Sequence, residues 1–404
     1  MAITRGPLTG IRVLDLTENH SGPFGSMLLG DLGAEIIKIE SPLGDCSRQG
    51  EPSVSLDNHF FLALNRNKGS IILDIESKLG KRTFHDLVEV SDVIISNSEP
   101  ALNRNRGLDF DTLERINPKI ITCNISGYGE SGPYAEYPPF DIIACGHSGL
   151  LSLSGEPGRA PLIPGGISLG EMMGGIFAVM HILSALMNRD KDGMGLKAEV
   201  NLFDSLLFMQ KAIFQHYFSS GMAPTLQGGR HMMLATYGVF ETKDGYLTLG
   251  PSDESKIIEV AGLGWMFEDP KLDSMFNRVI NREEFNKHFE EALRSKTTEE
   301  WVRILRDEND LASGPVLNYG QVINDPQVQH NNMIWDMQLE SGEKYKTIGS
   351  IFKMPNEIEG RPTPPSDLGR YTEEVLRDKL GYSDEQISEI RQENEAARKR
   401  LVNQ

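Results

Sequence analysis

Five short runs of branched apolar residues recur in the first third of the chain, and their spacing constrains the fold more than any other feature. They are IRVLDLT (11–17), EIIKIE (35–40), SIILDI (70–75), DVIISN (92–97) and KIITCNISG (119–127). Each is strand-length and bounded by turn residues. The intervening stretches have room for helices, as in GPFGSMLLGDLGA (22–34) and KLGKRTFHDLVEVS (78–91). Strands separated in this way pair through crossovers, so the reading is an α/β chain with a parallel sheet flanked by helices.

The pattern changes after Gly149. From Gly174 to Arg189 the apolar positions Ile176, Val179, Met180, Leu183 and Leu186 follow helical spacing and predict a buried stripe. GLKAEVNLFDSLLFMQKAIFQHYFSSG then reads as a short strand feeding a long, mostly buried helix. GMAPTLQGGRHM (221–232) has linker composition. YGVFETKDGYLTLG predicts a hairpin around Asp244-Gly245. Thr297 with Glu300, and Ser383 with Gln386, have capping-box spacing and mark helix starts. The expected organisation is a large α/β domain beginning in 1–220, a smaller α+β domain in 225–330, and a segment 331–404 that returns to the large domain.

Composition excludes several classes of function. The formal net charge is −18, which disfavours a nucleic-acid binder because phosphate backbones require a basic face. An acidic chain can still hold a small anion at a local cluster of cations and helix N-termini. No run of ~18 consecutive apolar residues suggests a membrane span. MAITRGPLTG lacks the apolar core of a secretory signal. Cys46, Cys123 and Cys145 are odd in number and widely spaced, which argues against a disulfide framework or structural zinc and fits a reducing cytoplasm.

Candidate chemistry lies in the turns. Gly22 and Gly25 occupy the first strand-to-helix turn, which suits either a phosphate-binding turn or a plain tight one. The spacing is not GxGxxG, so a nicotinamide enzyme is not supported. Lys38, Arg48, Lys68, Arg104 and Arg106 fall in or near strand ends and loops, where an open parallel sheet binds ligands. They could neutralise a phosphorylated cofactor or simply be solvated. His20, His147 and His231 are acid–base candidates by residue type. Neither HExxH nor GxSxG accompanies them. Glu171 is a single acid set between Gly165, Gly166 and Gly170 on one side and Gly174 and Gly175 on the other. It reads as a helix-terminal charge, worth roughly 0.3–1 kcal/mol. It also reads as a nucleophile, with Gly170, Gly174 and Gly175 keeping side-chain bulk away so that a large substrate can approach.

Several motifs occur in one order over nearly the whole chain: PLTGIRVLDLTENHSGPFGSMLLGDLGAEIIKIESPLGDCSR, LNRNKGSIILDI, ISGYGESGPYAEYPPFD, LSALMNRDKDGMGLKAEVNLFDSL, DGYLTLG and SGPVLNYGQVINDPQV. This series resembles the family III CoA-transferases, typified by formyl-CoA transferase and L-carnitine CoA-transferase. The resemblance implies a Rossmann-like large domain, a smaller domain and an interlocked homodimer. It also implies transfer of CoA from an acyl-CoA to a free carboxylic acid, with coenzyme A as substrate and no metal. The nucleophile in such enzymes is an aspartate in a G-D-x-x-x-G segment; here GEMMGG places Glu171 at that position. The implied route runs through a glutamyl anhydride and a glutamyl-CoA thioester.

For CoA binding the resemblance points to His20 and Ser21 in the first turn, to Asn97 and Ser98 after the fourth strand, and to Arg104 or Arg106 after PALN. Ser41 stands where formyl-CoA transferase has an arginine, with Lys38 or Arg48 as substitutes. Phe140 stands where the related α-methylacyl-CoA racemases carry the histidine of a His-Asp pair. Without that histidine, α-proton exchange lacks a partner base. Racemisation and a CoA-binding homologue with little turnover are the alternatives. The acceptor acid is expected near GGRHMM and the 140–150 turn, and carnitine-like, dicarboxylic and arylpropionic acids all suit those residues.

Overall fold

The computed structural model describes residues 3–49, 59–137, 140–163, 165–354 and 358–403. The chain divides into two compact units. One comprises 1–148, 166–209 and 329–404; the other comprises 149–165 and 210–328. The helix Lys211–Ser220, which the sequence reading keeps with the large domain, lies in the smaller unit.

The larger unit is built on a six-stranded parallel sheet. Its strands are β1 (Arg12–Asp15), β2 (Glu35–Glu40), β3 (Lys68–Ile72), β4 (Val93–Ser96), β5 (Ile121–Ser126) and β6 (Lys197–Asn201), in spatial order 3-2-1-4-5-6. The register pairs Val13 with Ile36 on one side and with Val93 on the other, and Ile125 with Val200. Strands β2, β4 and β5 are buried along almost their whole length because helices cover both faces, which explains their near-continuous apolar runs. This strand order is the doubly wound arrangement, whose switch point lies between the outward-running β1–β2–β3 half and β4.

Helix α1 (Ser21–Asp31) follows β1, α2 (Lys78–Glu89) follows β3, and α3 (Pro100–Arg106) follows β4. Helices α4 (Asp141–His147), α5 (Leu169–Asp192) and α6 (Leu202–Met209) come later in the same unit. The C-terminal segment is tied to the edge strand β3. Tyr371 N–H donates to the Ser70 carbonyl, Ile72 N–H donates to Thr372 Oγ1, and the Asn394 side chain donates to the Ile72 carbonyl. It carries α7 (Thr372–Leu380) and α8 (Asp384–Val402), and α8 starts at the Ser383–Gln386 capping box.

Helix α5 packs differently from its sequence pattern. Its buried face is Gly174, Gly175, Ala178, Val179, Ile182, Ala185 and Leu186. Met180 is 55% exposed, and Ile176 and Leu183 are not buried. Small residues face inward because neighbouring backbone comes very close. A Cβ on Gly175 would lie 2.7 Å from the Ser21 carbonyl oxygen and 2.9 Å from Phe24. One on Gly25 would lie 3.2 Å from the Gly175 carbonyl. The expected long helix after β6 is also two helices, α6 and Lys211–Ser220, and the second has no buried residue. By length and composition α5 is also apolar enough to cross a membrane, but its Gly174–Leu186 face is buried within the fold.

The smaller unit holds the expected hairpin, Gly238–Glu241 with Tyr246–Leu249, extended by Ser313–Pro315 into a three-stranded antiparallel sheet. Helices including Arg282–Leu293 cover it over a core of Phe240, Phe285, Phe289 and Trp301. The Thr297–Glu300 capping box forms as read.

The α1–α5 contact yields a prediction. Gly175→Ala gains up to ~1 kcal/mol of helix propensity but forces overpacking worth about 1–3 kcal/mol. Urea unfolding is expected to show net destabilisation.

Candidate active site

Because α1 and α5 approach through Gly25 and Gly175, their first turns lie side by side. His20, the residue preceding α1, places Nδ1 3.0 Å from Glu171 Oε2 in the first turn of α5. Both side chains are largely buried, and Phe60 braces the imidazole edge-on at 5.2 Å between ring centroids. The approach is close but not along the ring N–H direction. Oε2 therefore remains a buried acceptor without a well-directed hydrogen bond.

The start of α5 is capped by another residue. Asp141 Oδ1 accepts the backbone N–H of Gly170 at 2.6 Å and of Glu171 at 3.2 Å. Asp141 Oδ2 faces the Cys145 thiol at 3.6 Å. Sequence reasoning considered Asp141 only as half of a racemase pair. It therefore missed that this carboxylate supplies the cap and leaves Glu171 free for another role. Phe140, at the position before it, is 62% exposed.

Gly170, Gly174 and Gly175 are packing positions, not open space beside Glu171. A Cβ on Gly170 would meet Asp141 and Leu206 at 3.0 Å, and one on Gly174 would meet Leu202 at 2.8 Å. Together with Gly175, they let helices and strands pack tightly around α5. This corrects the expectation that they keep the approach clear.

Buried charges hold the turn that carries His20. Lys38 Nζ contacts Asp45 Oδ2 at 2.8 Å and donates to the Thr17 carbonyl at 2.7 Å. Asp45 Oδ1 accepts the N–H of Asn19, which adopts φ +66°; asparagine tolerates this left-handed conformation better than most residues. At the other end of the turn, Lys68 Nζ contacts Asp15 Oδ2 at 3.0 Å and donates to the Pro23 carbonyl at 2.9 Å. Burial pulls the Lys68 pKa down to about 8 against the pull of Asp15. Burial opposes ionisation of Asp15 and Asp45 too. The lysines and hydrogen bonds outweigh it and hold both carboxyls below the usual range.

A cavity of about 570 Å³ lies at the carboxyl ends of β1 to β4, the switch point of the sheet. Leu16, Ile39, Pro42, Leu43 and Leu102 give it apolar walls; Ser41, Ser98, Arg106 and Arg400 add polar groups, and the carboxylates Glu40, Asp74 and Glu76 line it beside the arginines. Glu18 also borders it, two residues before His20, so one short loop runs from the cavity to Glu171. Arg106 pairs with Glu76, and Arg400 lies 3.4 Å from Asp74 with its side chain 69% exposed. Arg104 instead borders a separate crevice of about 40 Å³.

The remaining site candidates have internal partners. Lys38 is fully buried in its ion pair. Arg48 forks onto Glu40 at 2.6 and 2.7 Å and lies over the Phe61 ring. Asn97 exchanges two hydrogen bonds with the Glu18 backbone, joining the β1 and β4 loops. Ser21 is buried in the first turn of α1. His147 meets the Tyr128 hydroxyl at 3.0 Å, and His231 stacks on Tyr237 in the smaller unit. Arg400 escaped the sequence reading because its only signal was a basic helix end, which the helix dipole already explains. Among the described residues, no three His, Cys, Asp or Glu side chains converge as a metal site.

A doubly wound sheet with a switch-point cavity, and a buried carboxylate at the start of an adjacent helix, define an α/β protein with a candidate ligand site at the carboxyl ends of its strands. The model of CoA-transferase family III matches residues 8–370, and the chain belongs to that family. It is 31% identical over 389 residues to the human succinyl-CoA:glutarate CoA-transferase, covering 95% of this chain and 88% of that one. It is 32% identical over 335 residues to the acetyl-CoA:oxalate CoA-transferase of Acetobacter aceti, covering 82% and 86%. A solved CAIB/BAIF family protein from Brucella suis superposes with a TM-score of 0.82 at 28% identity, covering 93% of this chain and all of that one.

Stability should follow the buried charges. Because Asp15 and Asp45 titrate below their unfolded values, their contribution is complete above about pH 5 and is lost as pH falls below ~4. Thermal unfolding across pH 3–7 is expected to show that fall. Asp45→Asn leaves Lys38 buried without its counter-charge, at a cost of about 3–5 kcal/mol at pH 7, and flattens the acid limb.

Proposed function

We propose that this enzyme moves CoA from an acyl-CoA thioester to a short dicarboxylic acid, with Glu171 as the covalent carrier. The observation that carries this reading is the division of labour at α5. Asp141 caps the helix, so the buried Glu171 carboxylate is not consumed by the structural role its position suggests. The choice of a dicarboxylate rests on relatives whose names pair CoA with glutarate, oxalate or L-malate.

In the mechanism, a Glu171 oxygen attacks the thioester carbonyl, the C–S bond breaks, and CoA leaves as thiolate. The thiolate attacks the Glu171 carbonyl carbon, releasing the first acid and leaving a glutamyl-CoA thioester. The acceptor carboxylate reverses both steps. The covalent route conserves the thioester bond energy, and each step is a displacement that needs no metal or ATP.

The switch-point cavity suits the adenosine end of CoA. Apolar walls can sandwich the adenine, while Arg106, Arg400 and Ser98 meet phosphate oxygens. Arg106 is favoured over Arg104 because it borders the larger cavity. Lys38 and Arg48 are disfavoured as phosphate ligands because their ion pairs are buried, whereas the pairs of Arg106 with Glu76 and of Arg400 with Asp74 are each partly open to solvent and can exchange for a phosphate. Racemisation is disfavoured because Phe140 supplies no base and Asp141 is engaged by backbone N–H groups.

The test is steady-state transfer from a panel of acyl-CoAs to dicarboxylic acids, with the new thioester identified by mass. Glu171→Gln is expected to lower kcat by at least ~10³-fold while leaving CoA binding intact. Arg106→Ala and Arg400→Ala are each expected to weaken CoA-thioester binding by about 1.5–3 kcal/mol with kcat preserved. Transfer by Glu171→Gln at the wild-type rate contradicts the reading.

We also propose a homodimer. Support comes from the exposed apolar residues Ile142 on α4, Met180 and Met187 on α5, and Phe218 on the helix Lys211–Ser220. Sedimentation equilibrium is expected to give twice the chain mass of 44.9 kDa.

A further inference from the structure

Glutamate has one more side-chain torsion than aspartate, so a glutamyl nucleophile needs something to hold it. A misplacement of ~1 Å costs on the order of 10²-fold in rate. Among the described residues, His20 is the only side chain of Lys, Arg or His within ion-pair distance of Glu171. Its Nδ1 faces Oε2, the oxygen without a directed partner, at 3.0 Å. The other nearby carboxylate, Asp141, is turned to backbone N–H groups.

His20 is fixed independently of any ligand. Phe60 contacts its ring edge-on, its own carbonyl accepts the Phe24 N–H, and Lys38 with Asp45 secures the preceding Thr17–Asn19 turn. This contact with Glu171 is separate from the CoA contact expected for His20 by resemblance.

We propose that His20 is a catalytic hydrogen-bond donor to Glu171 Oε2, an inference that rests on the transferase reading. With the proton on Nδ1, the imidazole holds Oε2 and leaves Oε1 to attack the donor thioester. In the anhydride, Oε1 is the bridging oxygen and Oε2 the carbonyl oxygen. When CoA thiolate attacks Cδ, the new C–S bond pushes an electron pair onto Oε2, where Nδ1–H stabilises the oxyanion. The pair returns as the Cδ–Oε1 bond breaks, and the donor's acid departs carrying Oε1. The same contact serves the return half-reaction. The off-line approach in the free enzyme is the looseness such contacts show before substrate tightens them.

Two substitutions separate this role from packing. Asparagine places an amide N–H where Nδ1 stands but discards most of the ring. Phenylalanine keeps the ring and its contact with Phe60 but has no donor. The experiment measures kcat and KM for acyl-CoA in wild type, His20→Asn and His20→Phe, with thermal unfolding of each. The expected result is a kcat about 10²-fold lower in His20→Phe, with KM nearly unchanged and at least tenfold recovery in His20→Asn. Three outcomes overturn the proposal: wild-type kcat in His20→Phe; greater activity in His20→Phe than in His20→Asn; or a raised KM with preserved kcat, which assigns His20 to CoA binding. If wild type itself transfers CoA from no donor, the transferase reading fails first, and this result distinguishes that failure from the others.

Discussion

The close crossing of α1 and α5 is the contact on which the rest of the site depends. Backbone meets backbone where Gly25 faces Gly175, and at Gly175 no side chain larger than hydrogen fits without displacing Ser21 or Phe24. That proximity places two helix N-termini together. One delivers His20 and the other Glu171, from segments roughly 150 residues apart in sequence. The crossing costs helix propensity at both glycines, and the buried apolar surface around Val179, Ile182 and Leu186 offsets it.

The charged layer around the turn makes the same geometry stiff. Lys38, Asp45, Lys68 and Asp15 are removed from water and pair with one another; the lysines also donate to the Thr17 and Pro23 carbonyls, and the aspartates accept from the hydroxyls of Thr17, Ser26 and Ser47 and from nearby backbone N–H groups. Such pairs add little net stability over an apolar core, but breaking one is costly. They fix the turn between β1 and α1 so that Glu18 borders the cavity while His20 meets Glu171. The proposed transfer uses both ends of this arrangement: the switch-point cavity for the phosphorylated nucleoside and the Glu171 carboxylate for the acyl group.

Much of the sheet was legible in the sequence because strands buried on both faces must be continuously apolar, as EIIKIE and DVIISN are. The hairpin and both capping boxes were legible because turn and cap chemistry is local. The glycines around Glu171 were misread because a glycine looks the same in sequence whether it opens space or admits a neighbouring backbone. Lys38 and Arg48 read as available cations because a sequence shows charge but not its partner. The capping role of Asp141 escaped for the same reason: the helix start it caps lies 29 residues away in sequence. The exposed Met180 stripe was read as core because helical periodicity says which residues share a face, not what covers it.

The central claim is that CoA travels on Glu171, and trapping tests it most directly. The protein is mixed with acyl-CoA without acceptor acid, quenched in acid, and measured by intact mass and peptide mapping. The account predicts a CoA adduct on the peptide containing Glu171, discharged when a dicarboxylic acid is added before the quench. Rapid product formation with no adduct, or an adduct mapped to another residue, would contradict it.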